Sequence, residues 1–409
     1  MKQEDPLKPL IFKWNLKFVE RSIVAIVRVS NPLDGEAVYQ AVSRTASLTG
    51  QWKDVIHSGD TVLLKPNMCL NDTINTTSPL VSAAVVRMAY EAGAREVIVG
   101  DSSFVGSDTD VVYETTGTKD YCERAGARVI DLKDYPSRFV TIPNPLRRKR
   151  LKVGEAVVKA DKLINIPKMK TCAGTDVSCA LKNMKGVVMD SDKKAFHRIG
   201  LNAALTDLNR AVKQHFIVVD GIRAAELMIR PVDIGIIIAG TDPVAVDSVA
   251  VHIMGHDPRK IDHIRTAAEQ GLGQMELDRI DVLGETIDSV KTYLRLPPGT
   301  LTELVTAFSP QLQQKISVVE GEACSGCTSQ ILLAVNKLGK ADPGFIASMD
   351  HVTMIIGPSA KLPSHVQNAL LVGNCTKRLK KLGVNHVKGC MPWSVDIING
   401  IKKVLANKG

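Results

Sequence analysis

Aromatic side chains are scarce in this chain of 409 residues: Phe, Trp and Tyr together make up 4% of it. Proteins that stack nucleic-acid bases depend on aromatic faces, so nucleic-acid binding ranks last among the functions considered. Hydrophobic residues still make up 44% of the chain, which excludes a disordered protein. Aliphatic side chains must therefore fill the core, and this favours sheets covered by helices.

Long apolar runs are missing as well. A membrane helix needs roughly 18 apolar residues in succession, whereas the run at 234–241 is strand-sized and is bracketed by Asp233 and Asp242. Residues 1–14 lack the basic start, apolar run and small-residue cleavage site of a secretory signal. We therefore expect a cytoplasmic protein that does not bind a membrane.

Several common catalytic motifs are also absent from the sequence: G-x-x-x-x-G-K-[ST], G-x-G-x-x-G after a strand, H-E-x-x-H and G-x-S-x-G. ATP hydrolysis, standard dinucleotide binding, zincin proteolysis and the usual serine-hydrolase arrangement therefore have no support.

What the sequence does contain is an alternation of short apolar runs with helix-length periodic segments. This alternation predicts an α/β fold in which a mainly parallel sheet has helices on both faces. The predicted strands are 23–29, 61–65, 96–101, 128–131, 160–166, 216–220 and 234–240, and the helices are 78–92, 111–125, 201–213 and 243–254.

The alternation stops near R-L-P-P-G at 295–299 and then restarts on a smaller scale. We therefore predict two domains, 1–309 with a linker from about 285, and 310–409. The second would be a smaller flavodoxin-like α/β domain. Its predicted strands are 316–320, 351–356, 369–372 and 386–388, and its helices are 328–338, 376–382 and 392–406.

The net charge is +9, from 52 Lys and Arg against 43 Asp and Glu, and it is unevenly distributed. Residues 310–409 hold 12 basic and 5 acidic residues, a net +7 on a quarter of the chain. This excess predicts a positive face that docks an acidic electron donor such as ferredoxin or flavodoxin. An ordinary solvated surface is the alternative.

Four of the eight cysteines lie in the second domain: Cys324, Cys327, Cys375 and Cys390. The first two follow one predicted strand, and the others each follow a further strand. Because parallel strands end at one edge of a sheet, the four thiols should converge there and could hold a [4Fe-4S] cluster. A structural zinc ion is the alternative, although zinc sites favour two short C-x-x-C pairs and this domain has one.

These motifs resemble those of a known cluster-binding domain. C-S-G-C at 324–327, G-N-C at 373–375 and G-C-M-P at 389–392 are similar to motifs in the flavodoxin-like half of nickel–iron hydrogenase small subunits and of related quinone-reductase subunits. The spacings here are shorter, and Met391 separates the last cysteine from the proline. The resemblance implies cluster binding and electron transfer, not hydrogen chemistry.

In the first domain, basic and amide side chains follow two predicted strands, in segments 63–69 and 165–186. Such residues at strand ends could surround a small carboxylate or phosphate, whereas solvated surface lysines are the alternative. The predicted substrate-binding residues are Lys65, Asn67, Lys168, Lys170, Lys182, Asn183 and Lys185, and the candidates for catalysis are Lys65, Lys168, Lys170 and Cys172.

Both segments, with V-G-D at 99–101, V-D-G at 219–221 and the run 239–247, resemble domain-of-unknown-function family 362 over about residues 22–284. Members often carry an added iron–sulfur module, but the family has no agreed chemistry. Where the family usually has histidine, this chain has Cys172. With Cys69 and Cys179 it could form a second metal site or act on substrate; we favour the alternative that all three are small buried residues.

The leading hypothesis is a cytoplasmic iron–sulfur redox protein. One [4Fe-4S] cluster per chain would pass electrons to a small anionic substrate in the first domain. The alternatives are a non-catalytic electron carrier or assembly factor, and a binding module held together by zinc.

Overall fold

The computed structural model describes residues 21–105, 107–340, 343–366 and 368–406, apart from the side chains of Lys381 and Leu382. The chain divides into two compact units, one ending at Leu296 and the other beginning at Pro297. Residues 1–14, on which the expectation of no secretory signal rests, lie outside the described residues. None of the helices in the described ranges is long and apolar enough to cross a bilayer.

The strands of the first unit are β1 (Ser22–Arg28), β2 (Thr61–Pro66), β3 (Glu96–Asp101), β4 (Arg128–Asp131), β5 (Ser137–Thr141), β6 (Arg150–Gly154), β7 (Lys162–Ile166), β8 (Lys168–Cys172), β9 (Asp176–Ser178), β10 (Phe216–Glu226), β11 (Arg230–Gly240) and β12 (Ile280–Gly284).

Its helices are α1 (Gly35–Leu48), α2 (Pro79–Glu91), α3 (Thr109–Thr115), α4 (Thr118–Arg124), α5 (Glu155–Lys159), α6 (Ala180–Asn183), α7 (Asp190–Ile199), α8 (Leu201–Ala211), α9 (Pro243–Ile253), α10 (Asp262–Glu269) and α11 (Ile287–Val290). Short 3-10 segments lie at Trp52–Asp54, Met184–Val187, Pro258–Lys260 and Leu277–Arg279.

A ten-stranded sheet organises this unit, in the order β12-β1-β11-β10-β7-β2-β3-β4, with β8 pairing with β10 and β9 beside that path. The run from β10 to β4 is parallel throughout, whereas β11 pairs antiparallel with both of its neighbours. The predicted α/β class, with a large and mainly parallel sheet, is therefore confirmed.

The strands predicted at 216–220 and 234–240 are longer than expected and form a hairpin. β10 and β11 are joined by residues 227–229 alone, and so short a link cannot make the crossover that parallel strands need. Leu227 and Met228 both adopt positive φ angles, 52° and 62°, in this tight turn. The antiparallel pairing thus follows from the length of the connection.

The sheet is buried on both faces. Leu63 and Leu64, neighbours on β2, have no exposed surface and belong to different hydrophobic clusters. Leu64 packs in the cluster that contains residues of α1 and α2, and Leu63 in the cluster that contains residues of α8. Successive residues of a strand face opposite ways, so a helical layer covers each side, as is typical of parallel sheets.

The second unit contains one four-stranded parallel sheet. Its strands are β13 (Ile316–Glu320), β14 (Val352–Ile356), β15 (Ala369–Val372) and β16 (Asn385–Val387), and its helices are α12 (Leu301–Phe308), α13 (Ser325–Gly339), α14 (Pro343–Ser348) and α15 (Ser394–Ala406), with 3-10 segments at Pro310–Leu312 and Asn374–Leu382.

The strands of this second sheet follow one another in chain order, β13-β14-β15-β16. A doubly wound flavodoxin sheet instead reverses its strand order at a switch point. The link between β14 and β15 has no helix among its described residues, and the chain passes directly to the neighbouring position. The segment expected to be a polar linker also contributes α12, which begins at a capping box of Thr300 and Glu303.

Burial of β2 on both faces predicts that Leu63→Ala and Leu64→Ala each lower the free energy of unfolding by about 2–5 kcal/mol, because each leaves a cavity. Leu33→Ala is the control: Leu33 is 88% exposed, and its loss should cost about 0.5 kcal/mol or less. Urea unfolding followed by circular dichroism measures all three. A large effect for only one of the two β2 variants would contradict a sheet covered on both sides.

Candidate functional site

The ends of β2 and β3 share a buried ion pair. Lys65 Nζ lies 2.9 Å from Asp101 Oδ1, and the two side chains are 1% and 4% exposed. The same Nζ donates to the carbonyl oxygen of Pro66 at 2.6 Å and to Asn183 Oδ1 at 3.3 Å. Burial lowers the pKa of Lys65, and the charge of Asp101 opposes that shift. The charge of this lysine is therefore balanced within the protein.

The 3-10 segment Met184–Val187 covers this ion pair so closely that position 186 accommodates only glycine. A Cβ on Gly186 would lie 1.9 Å from Asp101 Oδ1 and 2.5 Å from Lys65 Cε. The carbonyl oxygen of Gly186 accepts hydrogen bonds from Ser102 N at 3.0 Å and Ser102 Oγ at 2.8 Å. These contacts fix the segment that carries Lys185 over the end of the sheet.

Asn183 links the ends of β2 and β7. Its Nδ2 donates to the carbonyl oxygen of Lys65 at 3.1 Å and to Asn165 Oδ1 at 2.6 Å. Its Oδ1 accepts from Asn67 Nδ2 at 2.8 Å, and Asn67 Oδ1 accepts from Lys170 Nζ at 3.0 Å. A buried network satisfied in this way is rigid. Four of the predicted site residues therefore belong to one hydrogen-bonded network: Lys65, Asn67, Lys170 and Asn183.

Residues 168–172, which we predicted to follow the end of a strand, themselves form a strand, β8. Lys168, Lys170 and Cys172 alternate along it and so lie on one face. Lys168 Nζ is 2.9 Å from Asp220 Oδ2, in side chains that are 3% and 0% exposed. The charge of Lys168 is therefore also balanced internally. Lys170 is buried too, and it donates to the carbonyl oxygen of Asn75 at 3.0 Å as well as to Asn67.

The remaining predicted lysines, Lys182 and Lys185, are partly exposed. Lys182 Nζ donates to Cys172 Sγ at 2.9 Å and to Thr175 Oγ1 at 2.7 Å. Lys185 Nζ lies 2.7 Å from His197 Nε2, on α7. The lysine ion pairs nearby belong to other residues, and within the described ranges neither Lys182 nor Lys185 makes one.

Burial and neighbouring positive charges act on Lys185 and on His197 beside it. Burial, together with the charges of Lys182 and Lys193, lowers the pKa of Lys185 to about 7. Burial and the charges of Lys185 and Lys182 lower the pKa of His197 to about 2, so this imidazole is neutral. The region therefore contains two lysines without an ion-pair partner among the described residues, and the amine of Lys185 is partly deprotonated at neutral pH.

Lys193 belongs to the site although it was not among the predicted residues. It is 3% exposed and donates to the carbonyl oxygens of Ser102 and Ser103, each at 2.7 Å. Burial lowers its pKa to about 8. The sequence contained a signal for the burial of Lys193. It lies three residues before the apolar Phe196 and therefore on the same, inner face of α7.

The three cysteines of the first unit have separate surroundings. Cys172 contacts Lys182, and Cys179 lies beside Asp247, where burial raises the pKa of the thiol well above its usual value. Cys172 and Cys179 are buried, whereas Cys69 is partly exposed. These contacts fit the interpretation of Cys172 and Cys179 as small buried residues.

The cysteines of the second unit lie at the carboxyl ends of three parallel strands. Cys324 and Cys327 follow β13 at the start of α13, Cys375 follows β15, and Cys390 follows β16. Cys327 is 6% exposed, and Cys375 and Cys390 are exposed.

Backbone contacts bring these loops together. Asn374 N donates to the carbonyl oxygen of Gly389 at 2.9 Å, and Gly389 N donates to Asn374 Oδ1 at 2.9 Å. Gly373 has a φ of 88°, and a Cβ there would lie 3.2 Å from Cys327 Sγ. The absence of a side chain at Gly373 therefore lets the sulfur after β13 approach the backbone after β15.

The first two thiols interact directly. A hydrogen bond from the Cys327 thiol, assisted by the backbone N–H groups of Cys327 and Gly326, lowers the pKa of Cys324 below its usual value. The same hydrogen bond, with burial and the charges of the other cysteines, raises the pKa of Cys327. Across the described ranges, no group of three or more His, Cys, Asp or Glu side chains is placed to hold a metal ion as it stands.

Comparison with known families finds a match within the first unit. Residues 62–252 match the model of the family described as Domain of unknown function (DUF362). The resemblance to family 362 is thereby confirmed over those residues, which include the whole lysine and asparagine network. The matched range ends before the second unit.

One curated relative is the "Thylakoid-associated protein sll1697" of Synechocystis sp. (strain ATCC 27184 / PCC 6803 / Kazusa). It is 29% identical over 254 residues, which cover 58% of this chain and 77% of that protein. Among solved structures, the lactate racemase apoprotein from Thermoanaerobacterium thermosaccharolyticum shares 11% identity over 63% of this chain and 58% of its own, with a TM-score of 0.31. A likeness at that level carries no conclusion about fold or activity.

The Lys65–Asp101 pair predicts a large cost for removing one partner. Asp101→Asn should lower the free energy of unfolding by about 3–5 kcal/mol, because it leaves the Lys65 ammonium buried without a counter-charge. The control is Asp281→Asn, which removes the exposed partner of Arg21 and should cost about 1 kcal/mol or less. Denaturant unfolding measures both. Equal costs would show that Asp101 does not balance a buried charge.

Proposed function

We propose that this chain is an iron–sulfur redox protein. Its second unit would hold one [4Fe-4S] cluster through Cys324, Cys327, Cys375 and Cys390, and its first unit would bind a small anionic substrate. The observation that carries the proposal is the position of four thiols at the carboxyl ends of three strands of one parallel sheet. When bound, the cluster would supply one-electron transfer.

The residues around these thiols fit such a group. Backbone N–H groups of Gly326 and Cys327 already point at the Cys324 sulfur, and clusters are stabilised by N–H donors of this kind. Gly373 leaves the space beside Cys327 open. Cys375 and Cys390 are exposed, so rotation of their side chains toward the first pair would not disturb core packing.

In the first unit, the internal ion pairs divide the predicted lysines into two roles. Lys65 and Lys168 are neutralised by buried aspartates, so we assign them to holding neighbouring strands together. Lys182 and Lys185 are partly exposed and have no carboxylate partner in the described part of the chain. An anionic ligand would supply the missing counter-charge, and this supports substrate binding there.

The second unit also offers a surface for an electron donor. Lys377 and Lys380 follow Cys375, Lys388 precedes Cys390, and all three side chains are exposed. A positive rim around the proposed ligands would guide an acidic protein such as ferredoxin or flavodoxin to this edge of the sheet.

Metal analysis tests the cluster. Protein purified without oxygen should contain about four irons and four acid-labile sulfides per chain. Cys324→Ser should lose them, whereas Cys122→Ala, which changes a buried thiol of the first unit, should retain them. Iron, zinc and sulfide are measured on the same samples.

Each other outcome of that measurement has a definite meaning. One zinc ion without sulfide would replace the redox proposal by a zinc-stabilised binding module. A cluster without turnover of any small molecule would leave an electron carrier or assembly factor. More than four irons would assign a second metal site to Cys69, Cys172 and Cys179.

The docking surface predicts salt-dependent association with an acidic ferredoxin. Lys377→Glu combined with Lys388→Glu should slow association about tenfold at low ionic strength, with the difference shrinking as salt is added. Lys53→Glu, an exposed lysine of the first unit, is the matched control. Stopped-flow kinetics measures the rates, and association that does not change with salt would refute this docking surface.

A further inference from the structure

Lys185 is the residue of the first unit whose surroundings suggest covalent chemistry. It lies in the 3-10 segment Met184–Val187, whose position over the end of the sheet is fixed by Gly186. Its amine lies 2.7 Å from His197 Nε2, and the residue as a whole is partly exposed. The amine is thus held in a defined place on rigid structure.

The groups around this amine come from several elements. Lys182 on α6 and Lys193 on α7 add positive charge, while Cys69 after β2 and Asp190 at the start of α7 favour the ammonium form. The balance, with burial as the largest cause, keeps the pKa of Lys185 near 7. An ordinary lysine has a pKa of about 10.4 and is almost entirely protonated at neutral pH.

We propose that Lys185 is a nucleophilic amine that forms an imine with an anionic aldehyde or ketone whose carboxylate is bound by Lys182. This deepens the proposed function by naming the substrate class of the lysine site. It rests on that function only for the anionic character of the substrate, and it does not depend on the cluster.

The chemistry balances with the two reactants alone. The lone pair of the neutral amine adds to the carbonyl carbon and the C=O bond opens. The two amine hydrogens then leave with the carbonyl oxygen as water, and a C=N bond remains. Lysines with lowered pKa values in crowded cationic or desolvated sites are activated for this step. No oxidant or further co-reactant is required.

Lys182 is the appropriate partner for the carboxylate. It is three residues from Lys185 and donates two hydrogen bonds, to Cys172 Sγ and Thr175 Oγ1. An ammonium group has three donors, so one remains for a ligand. Both contacts hold the side chain in place without neutralising its charge. A carbonyl compound with an adjacent carboxylate, such as a 2-oxo acid, would engage both lysines.

Reductive trapping tests the proposal. The full-length protein, purified without oxygen, is incubated with pyruvate and sodium borohydride, and the modified lysines are mapped by mass spectrometry. At pH 7 we expect Lys185 to be modified about 100-fold or more faster than the exposed Lys194, because far more of its amine is neutral. Modification of Lys185 should fall as the pH drops below about 7, where the amine becomes protonated.

Three variants separate the parts of the argument. Lys185→Arg should abolish the fast modification, and Lys194→Arg, on the exposed side of α7, should leave it unchanged. Lys182→Gln should lower the ratio of trapping by pyruvate to trapping by the uncharged acetaldehyde about tenfold, since one charge-assisted hydrogen bond to the carboxylate is lost.

The outcomes are distinguishable from those of the metal analysis. Uniform modification of surface lysines, or a rate at Lys185 no faster than at Lys194, would overturn the nucleophile. An unchanged pyruvate-to-acetaldehyde ratio in Lys182→Gln would overturn the role of Lys182. The same trapping is expected in Cys324→Ser, so a failed cluster proposal would leave this result intact.

Discussion

The first unit depends on the ion pair between Lys65 and Asp101, which is buried where two parallel strands end. A charge in that environment requires a counter-charge and further hydrogen bonds. The carbonyl of Pro66 and the side chain of Asn183 accept hydrogen bonds from Lys65, and the backbone N–H groups of Met68 and Ser102 donate to Asp101. Satisfying both members of this ion pair therefore fixes β2, β3 and the segment that covers them.

That constraint explains why the predicted lysines differ so much in character. Lys65 and Lys168 are balanced by aspartates on neighbouring strands, and they serve the fold. Lys182 on α6 and Lys185 in the covering 3-10 segment form no ion pair with a carboxylate of the described residues. Their charge is available to a ligand, and burial, together with the charges of Lys182 and Lys193, lowers the pKa of Lys185 to about 7.

The cysteines of the second unit are brought together by the geometry of its parallel sheet. Parallel strands deliver their carboxyl ends to one edge, so residues distant in sequence meet there without any local motif. The family match stops at residue 252, and these cysteines lie beyond it. The proposed chemistry of the two units therefore rests on independent evidence, and the two sets of experiments can succeed or fail separately.

The sequence alone determined the α/β class, the strand positions of the second unit and the placement of its four cysteines at strand ends. These features depend on local periodicity and on the general geometry of parallel sheets. Only the tertiary structure decided that 168–172 is a strand and that β10 and β11 are antiparallel. It also decided that Asp101 and Asp220 neutralise two of the lysines. Pairing of that kind joins residues far apart in the chain, and no local pattern encodes which carboxylate will meet which amine.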